Sequence, residues 1–82
     1  MTEQRGDVRA LVEQIAKWLV DEPGEVSVTQ IDGETTVLEL EVAEKDVGKV
    51  IGRSGRVARA LRALVAAAGM RAQKRFALEI VE

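Results

Sequence analysis

Gly48-Lys49-Val50-Ile51-Gly52-Arg53-Ser54-Gly55-Arg56 is the stretch of this 82-residue chain that decides its fold. Two glycines, Gly52 and Gly55, enclose two residues directly ahead of a long helical pattern. Neither glycine has a Cβ atom, so both can adopt φ angles closed to other residues, and a ligand can approach the main chain closely. A helix beginning at Gly55 or Arg56 would direct its unpaired N–H groups and the positive end of its dipole over this loop. The stretch therefore predicts a binding site for a polyanion.

Two common phosphate-binding motifs do not fit this loop. A Walker loop has four residues between its glycines and then Lys with Ser or Thr, whereas here two residues separate Gly52 from Gly55 and Arg56 follows. A dinucleotide-binding fingerprint needs a third glycine after a strand, but residues 44–51 have the pattern of a short helix. On the four-residue loop alone, a plain tight turn between two helices remains an open alternative.

The distribution of charge favours the binding site over the plain turn. Residues 1–44 hold eleven acidic and three basic side chains, whereas residues 45–75 hold nine basic side chains and one acidic side chain. A solvated helix face would explain some of these arginines but not their segregation. Although the net charge is −2, a local positive field of this kind attracts a polyanion.

The run Val50-Ile51-Gly52-Arg53-Ser54-Gly55-Arg56-Val57 resembles the VIGxxGxxI core of the KH domain, a nucleic-acid-binding module. The wider run, residues 46–62, is similar to the small bacterial stand-alone KH proteins called KhpA or YlqC-like, and the likeness covers nearly the whole chain. The resemblance implies an RNA chaperone or post-transcriptional regulator in the bacterial cytoplasm. It also implies pairing with a second copy or with a larger KH protein of the Jag or KhpB type.

The resemblance assigns residues to the RNA. It places the RNA backbone on Gly52-Arg53-Ser54-Gly55, here called the GxxG loop, and a KH module holds about four nucleotides. It also implies a groove for the bases, lined by Ile51, Val57 and the second strand near Leu38 to Leu40. With one Trp, one Phe and no Tyr, we expect bases to meet aliphatic side chains, with weak sequence preference. The full set of expected RNA-binding residues is Lys49, Ile51, Gly52, Arg53, Ser54, Gly55, Arg56, Val57 and Arg59.

Hydrophobic periodicity predicts the first half of the fold. An amphipathic helix spans residues 8–20, with Asp7 as its N-cap, and the polar residues 1–7 are expected to be a flexible segment. Trp18 is in register with the apolar stripe, which favours a core or subunit contact over base stacking. Two strands, residues 26–31 and 35–42, follow around a turn at residues 32–33. Irregular alternation at the end of the first strand leaves open a bulge or a shifted boundary.

The second half is predicted to contain two helices and a third strand. In the short helix over residues 44–51, Gly48 suggests close packing against a neighbour, because glycine is unfavourable in a helix interior. The following helix carries an apolar stripe that includes Leu64, and Gly69 is expected just beyond its end as a C′ residue. Alternating apolar residues then predict a strand over residues 76–81.

The predicted fold class is α+β, in the order α-β-β-α-α-β, as one domain over residues 1–82. The long connection from the second strand to the third implies a crossover, and hence a three-stranded mixed sheet covered on one face by helices. This order corresponds to the type II arrangement among KH domains. A membrane span, a cofactor, a metal and a small-molecule substrate are not expected.

Three classes of function remain to be separated. The favoured one is a noncatalytic module that binds single-stranded RNA in the cytoplasm. An enzyme is disfavoured because the chain has no His and no Cys, and its basic half offers a single carboxylate, Asp46, beside the loop. The remaining class is a protein–protein interaction module with a degenerate loop, because the loop has one basic residue where two would bind more strongly.

Overall fold

Three helices cover one face of a three-stranded sheet, and the computed structural model describes residues 7–82. The segment expected to be flexible, residues 1–7, lies outside the described residues except for Asp7. Short 3₁₀ turns precede β1, α2 and α3, at Pro23–Glu25, Glu44–Asp46 and Arg53–Gly55. The main elements are α1 (Val8–Leu19), β1 (Ser27–Ile31), β2 (Thr35–Glu41), α2 (Val47–Ile51), α3 (Arg56–Arg71) and β3 (Arg75–Ile80).

α1 begins where the sequence predicts. The Asp7 carboxylate accepts a hydrogen bond from the backbone N–H of Ala10 at 3.0 Å, which confirms it as the N-cap. Residues at four-residue steps, Val8, Val12 and Ala16, form the buried stripe. Trp18 is 75% exposed, which excludes the core of this chain and leaves the subunit contact as the remaining expectation. It lies at the flank of the buried stripe rather than on it.

The sheet has the predicted mixed topology, with strand order β1-β2-β3. β1 pairs with β2 antiparallel in an unbroken register from Ser27 opposite Glu41 to Ile31 opposite Val37, which excludes the bulge, and the strand ends at Ile31 as predicted. β3 pairs with β2 in parallel, which makes β2 the central strand and leaves β3 with one open edge. The crossover between them is formed by α2 and α3.

The core lies between the sheet and the helices. Leu38, Leu40 and Leu78 contribute from the sheet, and Leu61 and Val65 contribute from α3. These apolar contacts fix α3 against β3 and thereby hold the start of α3 at one end of the sheet. Within residues 7–82, no helix combines the length and the apolar character that a membrane crossing requires.

One expectation about α3 is wrong, and one side chain of its apolar stripe lies outside the core. Leu64 is 45% exposed, because it lies at the margin of the stripe that faces the core. Gly69 does not follow the helix: it lies inside α3 and is buried, and the helix continues to Arg71. A Cβ atom on Gly69 would lie 2.7 Å from the Lys74 carbonyl oxygen and 2.8 Å from Phe76 Cδ2. This glycine therefore allows β3 to fold back closely against the end of α3.

Candidate nucleic-acid interface

The GxxG loop has an unusual backbone conformation that only its glycines make accessible at low cost. Gly52, Ser54 and Gly55 have φ angles of 79°, 58° and 74°, so three of its four residues have positive φ. The loop is closed by a hydrogen bond of 3.1 Å from the Gly55 N–H to the Gly52 carbonyl oxygen. α3 begins directly afterwards at Arg56, as predicted.

The two glycines of the loop serve different purposes. A Cβ atom on Gly52 would lie 2.4 Å from Val57 Cγ2 and 2.8 Å from the Val57 nitrogen, so the first turn of α3 packs directly on Gly52. A Cβ atom on Gly55 would meet only Arg59 Nη1, at 3.6 Å. Gly52 is thus required by both packing and conformation, whereas Gly55 is required by conformation.

The tip of the loop presents free hydrogen-bond donors. Both of its residues, Arg53 and Ser54, are exposed, and their backbone N–H groups donate to no carbonyl oxygen of the described residues. The first turn of α3 follows, so its dipole adds positive potential at the same place. Such a set of main-chain donors is suited to an anion.

Three exposed arginines surround these donors. Arg53, Arg56 and Arg59 have no carboxylate of residues 7–82 within 4.0 Å. Arg59 Nη1 donates to the Ser54 carbonyl oxygen at 3.2 Å, which places its guanidinium against the loop. The positive charge at this site is therefore not neutralised within the described chain, and it is available to a polyanion.

Lys49 differs from the loop arginines. Its Nζ atom lies 3.4 Å from Asp21 Oδ2 and 3.8 Å from Asp46 Oδ1. A phosphate group would have to compete with two carboxylates for this ammonium group. The assignment of Lys49 to the RNA remains a prediction, and its contacts indicate a second role in holding α2.

Asp46 is a structural residue whose role the sequence did not reveal. Its side chain is fully buried, and Oδ2 accepts a hydrogen bond of 3.1 Å from the backbone N–H of Glu22. Oδ1 has no hydrogen-bond partner among the described residues. Beside it, Lys45 Nζ lies 3.1 Å from Glu22 Oε2, and this hydrogen bond raises the pKa of Lys45. Together these contacts tie the start of α2 to the connection after α1. The one sign of this role in the sequence is that Asp46 is the single acidic residue of the basic segment 45–75.

Gly48 is exposed, and a Cβ atom there would meet nothing within 4 Å. The expected close packing of this glycine is therefore wrong. The absence of a side chain instead leaves the surface of α2 open one turn before the loop.

A groove of about 230 Å³ begins at the loop and runs along the edge of the sheet. The expectation that the second strand lines it is wrong, because Leu38 and Leu40 lie on the central strand and are fully buried. The edge strand β3 takes that place, and Arg62 reaches it through a hydrogen bond of 3.3 Å from Nε to the Leu78 carbonyl oxygen. The lining residues are Ile51, Gly55, Ala58, Arg59, Arg62, Ile80 and Glu82.

The structure places three of the nine expected site residues in this groove. Ile51, Gly55 and Arg59 line it directly, whereas Arg53 and Ser54 lie at the exposed tip of the loop. Val57 packs against Gly52 and the core instead. Arg62 and Ile80 were not anticipated, because the helical period identifies the polar side of α3 but not the strand that lies beside it.

The element order, the mixed sheet and the glycine loop define a KH domain of the type II arrangement. The family model described as KhpA/KhpB, KH domain, matches residues 9–80. The chain therefore belongs to the KhpA/KhpB family of KH-domain proteins.

Individual relatives resemble the chain over nearly its whole length. The RNA-binding protein KhpA of Treponema pallidum (strain Nichols) is 55% identical over 73 residues, which cover 88% of this chain and 91% of the relative. RNA-binding protein KhpA of Aquifex aeolicus (strain VF5) is 50% identical over 76 residues, covering 92% and 96% of the two chains.

Solved structures show the same fold at low sequence identity. Aquifex aeolicus Era Y63A bound to GDP.AlF4- matches with a TM-score of 0.59 at 18% identity, over 93% of this chain and 30% of Era. Era in complex with MgGDPNP and nucleotides 1506–1542 of 16S ribosomal RNA matches equally, over 94% of this chain and 30% of Era.

Proposed function

We propose that this protein is a noncatalytic single-stranded RNA-binding protein of the cytoplasm, acting as an RNA chaperone or post-transcriptional regulator. One observation carries the proposal: the GxxG loop exposes two unpaired main-chain donors beside three arginines that lack a carboxylate partner among residues 7–82. The relatives named RNA-binding protein KhpA support the same ligand class.

The mode of binding follows from the geometry. Phosphates of about four nucleotides contact the N–H groups of Arg53 and Ser54 and the surrounding guanidinium groups. The bases then lie towards the groove, where Ile51 and Ile80 provide apolar contacts. Because most contacts reach the backbone, affinity falls as salt rises, with a slope of roughly −0.7 per phosphate contact on a single strand.

The double variant Arg53→Asp with Ser54→Asp tests this proposal. It removes one cation and places two carboxylates where phosphates would bind, so we expect at least a roughly tenfold loss of affinity, about 1.4 kcal/mol. The melting temperature should be unchanged, because both side chains are exposed and Asp tolerates the positive φ of Ser54. Fluorescence anisotropy with labelled single-stranded RNA measures the affinity.

A control for added negative charge is Gln14→Glu with Gln30→Glu, which adds two carboxylates at exposed positions on α1 and β1. This control should bind RNA like the parent. If the loop variant folds and also binds like the parent, the loop does not hold the RNA. The second candidate, an interaction module with a degenerate loop, then replaces the first.

We further propose that the working unit is a homodimer or a heteromer with a KhpB-type partner. Several apolar side chains are exposed: Leu64 is 45% and Met70 78% exposed on α3, and Trp18 is 75% exposed on α1. On α3, exposed alanines at positions 60, 63 and 67 form an uncharged strip between Arg56 and Arg71. Two linked sites raise the effective concentration for RNA without any new contact.

A further inference from the structure

The basic side chains of residues 7–82 fall into two groups according to their ion pairs. Four lie within 4.0 Å of a carboxylate: Arg9, Lys17, Lys45 and Lys49. The others have no described carboxylate within that distance, and they all follow α2 in the chain: Arg53, Arg56, Arg59, Arg62, Arg71, Lys74 and Arg75. The proposed loop site uses the first three of these unpaired cations, Arg53, Arg56 and Arg59.

Three of the unpaired cations lie far from the loop. Arg71 ends α3, Lys74 lies in the following turn and Arg75 begins β3, and we call this set the turn cations. Arg56 and Arg71 are the first and last residues of α3, and a rise of 1.5 Å per residue separates them by about 23 Å. Four nucleotides held on the loop would not reach the turn cations.

The turn that carries them is tightly hydrogen-bonded. The N–H of Lys74 donates to the Gly69 carbonyl oxygen at 2.8 Å. The N–H of Gln73 donates to the Met70 carbonyl oxygen at 3.1 Å. Gln73 has a φ of 60°, which is part of the same reversal. Three like charges thus lie within residues 71–75 on a fixed backbone, and none of them has a carboxylate of residues 7–82 within 4.0 Å. Such a local excess of unpaired positive charge attracts an anion.

A cleft of about 490 Å³ lies beside the turn cations and has room for a nucleotide. Lys74 and Arg75 form its basic wall, and Met70, which is 78% exposed, offers an apolar surface for a sugar or a base. Asp32 and Glu34, from the β1–β2 hairpin beside β3, also line the cleft but form no ion pair within 4.0 Å with either cation. The carboxylates would repel a phosphate from the hairpin and confine it to the basic wall.

We propose that the turn cations are a second binding patch for the sugar–phosphate backbone of the same RNA strand. This inference rests on the proposed RNA-binding function and extends its footprint. A stacked strand advances about 3.4 Å per nucleotide, so about seven further nucleotides span the distance along α3. Arg62 lies between the two ends, which provides one intermediate cation.

The test compares RNAs of about four and about twelve nucleotides, lengths that follow from the loop footprint and the span of α3. The variant is Arg71→Gln with Lys74→Gln and Arg75→Gln. The matched control, Arg9→Gln with Lys17→Gln and Lys45→Gln, removes the same charge from cations that are already ion-paired. Each variant is compared with the parent on the same RNA. This is necessary because a longer RNA contains more overlapping four-nucleotide sites for the GxxG loop, which raises its apparent affinity for every protein.

We expect the turn variant to bind the long RNA at least roughly fivefold more weakly than the parent. Its log–log salt slope should be smaller by about 2, which is three contacts at roughly 0.7 each. Its affinity for the short RNA should stay within about twofold, and the control should stay within about twofold on both RNAs. In NMR titrations, the short RNA should shift amides of the GxxG loop and of the groove beside it, whereas the long RNA should also shift those of residues 71–75.

Other outcomes overturn the inference. Equal losses on both RNAs, or equal losses in the control, would identify a general charge effect, and unchanged binding of the long RNA would show that the patch is not used. Failure of the proposed function looks different, because the parent would then bind neither RNA. Thermal melts verify folding, and Lys74→Glu, a single exposed change in the turn, gives a second variant that should weaken the long RNA alone.

Discussion

At the scale of single residues, the two loop glycines are alike in the sequence but not in the structure. The sequence is sufficient to place both in a loop that needs positive φ. It cannot show that Val57 packs on Gly52, because that contact depends on how α3 leaves the loop. The roles of Gly48 and Gly69 were predicted wrongly for the same reason. The sequence shows that a residue is glycine, but not whether a neighbouring residue occupies the space that a Cβ atom would fill.

Gly52→Ala and Gly55→Ala should therefore differ in their effect on stability. Gly52 has φ 79° and ψ 169°, a region essentially restricted to glycine, and its new methyl group would clash with Val57. We expect the Gly52→Ala substitution to lower the free energy of unfolding of the protein by about 3 kcal/mol. Gly55 is in the left-handed helical region with open space, so about 1–2 kcal/mol is expected. Urea unfolding measures both, and equal losses would contradict the assigned roles.

At the scale of secondary-structure elements, hydrophobic period and turn residues predicted the order and approximate bounds of every helix and strand of residues 7–82. What they missed is how elements hold one another. The second strand was expected to line a groove beside the loop, whereas β3 lines the groove that the structure shows there, because strand order is a tertiary property. The anchoring of α2 by Asp46 was likewise invisible, since its partner is a backbone N–H some twenty-four residues away.

The anchor of α2 gives a second stability prediction. Asp46→Ala removes the hydrogen bond between the Glu22 N–H and a fully buried carboxylate, a loss of about 1.5–3 kcal/mol in the free energy of unfolding. Asp46→Asn retains an acceptor oxygen and should cost less. Lys45→Gln is the matched comparison, because it breaks the exposed pair with Glu22, for which about 0–1 kcal/mol is expected. Thermal and urea denaturation compare the three, and an Asp46→Ala loss no larger than that of Lys45→Gln would refute the anchor.

At the scale of the whole molecule, charge segregation was visible in the sequence and the structure concentrates it further. Each of the four ion-paired cations has a carboxylate partner in residues 1–44, the acidic part of the chain. Lys49 has a further contact with Asp46, which lies outside that part. The cations without such partners lie along α3 and at the start of β3. By contrast, the apolar period could not separate side chains that this chain buries, such as Val65, from those it leaves exposed, such as Leu64 and Trp18.

Leu64→Glu tests whether that exposed surface joins two protomers in the proposed homodimer. In an isologous dimer both protomers contribute the same surface, so the substitution introduces a charge on both sides of an apolar interface. We expect the parent to sediment as a dimer and the variant as a monomer in analytical ultracentrifugation. The melting temperature should depend on protein concentration in the parent alone, because only a dimer gains stability by mass action.

The same substitution also separates folding from assembly. Leu64 is partly exposed in the described chain, so its replacement should leave the circular dichroism spectrum of the folded monomer unchanged. Gln14→Glu, on an exposed polar position of α1, should remain dimeric and serves as the control. RNA affinity of Leu64→Glu should fall towards that of a single site, because the second loop no longer raises the effective concentration. If the parent stays monomeric at high concentration, the homodimer is wrong. The exposed surface of α3 would then be assigned to a heteromer with a KhpB-type partner.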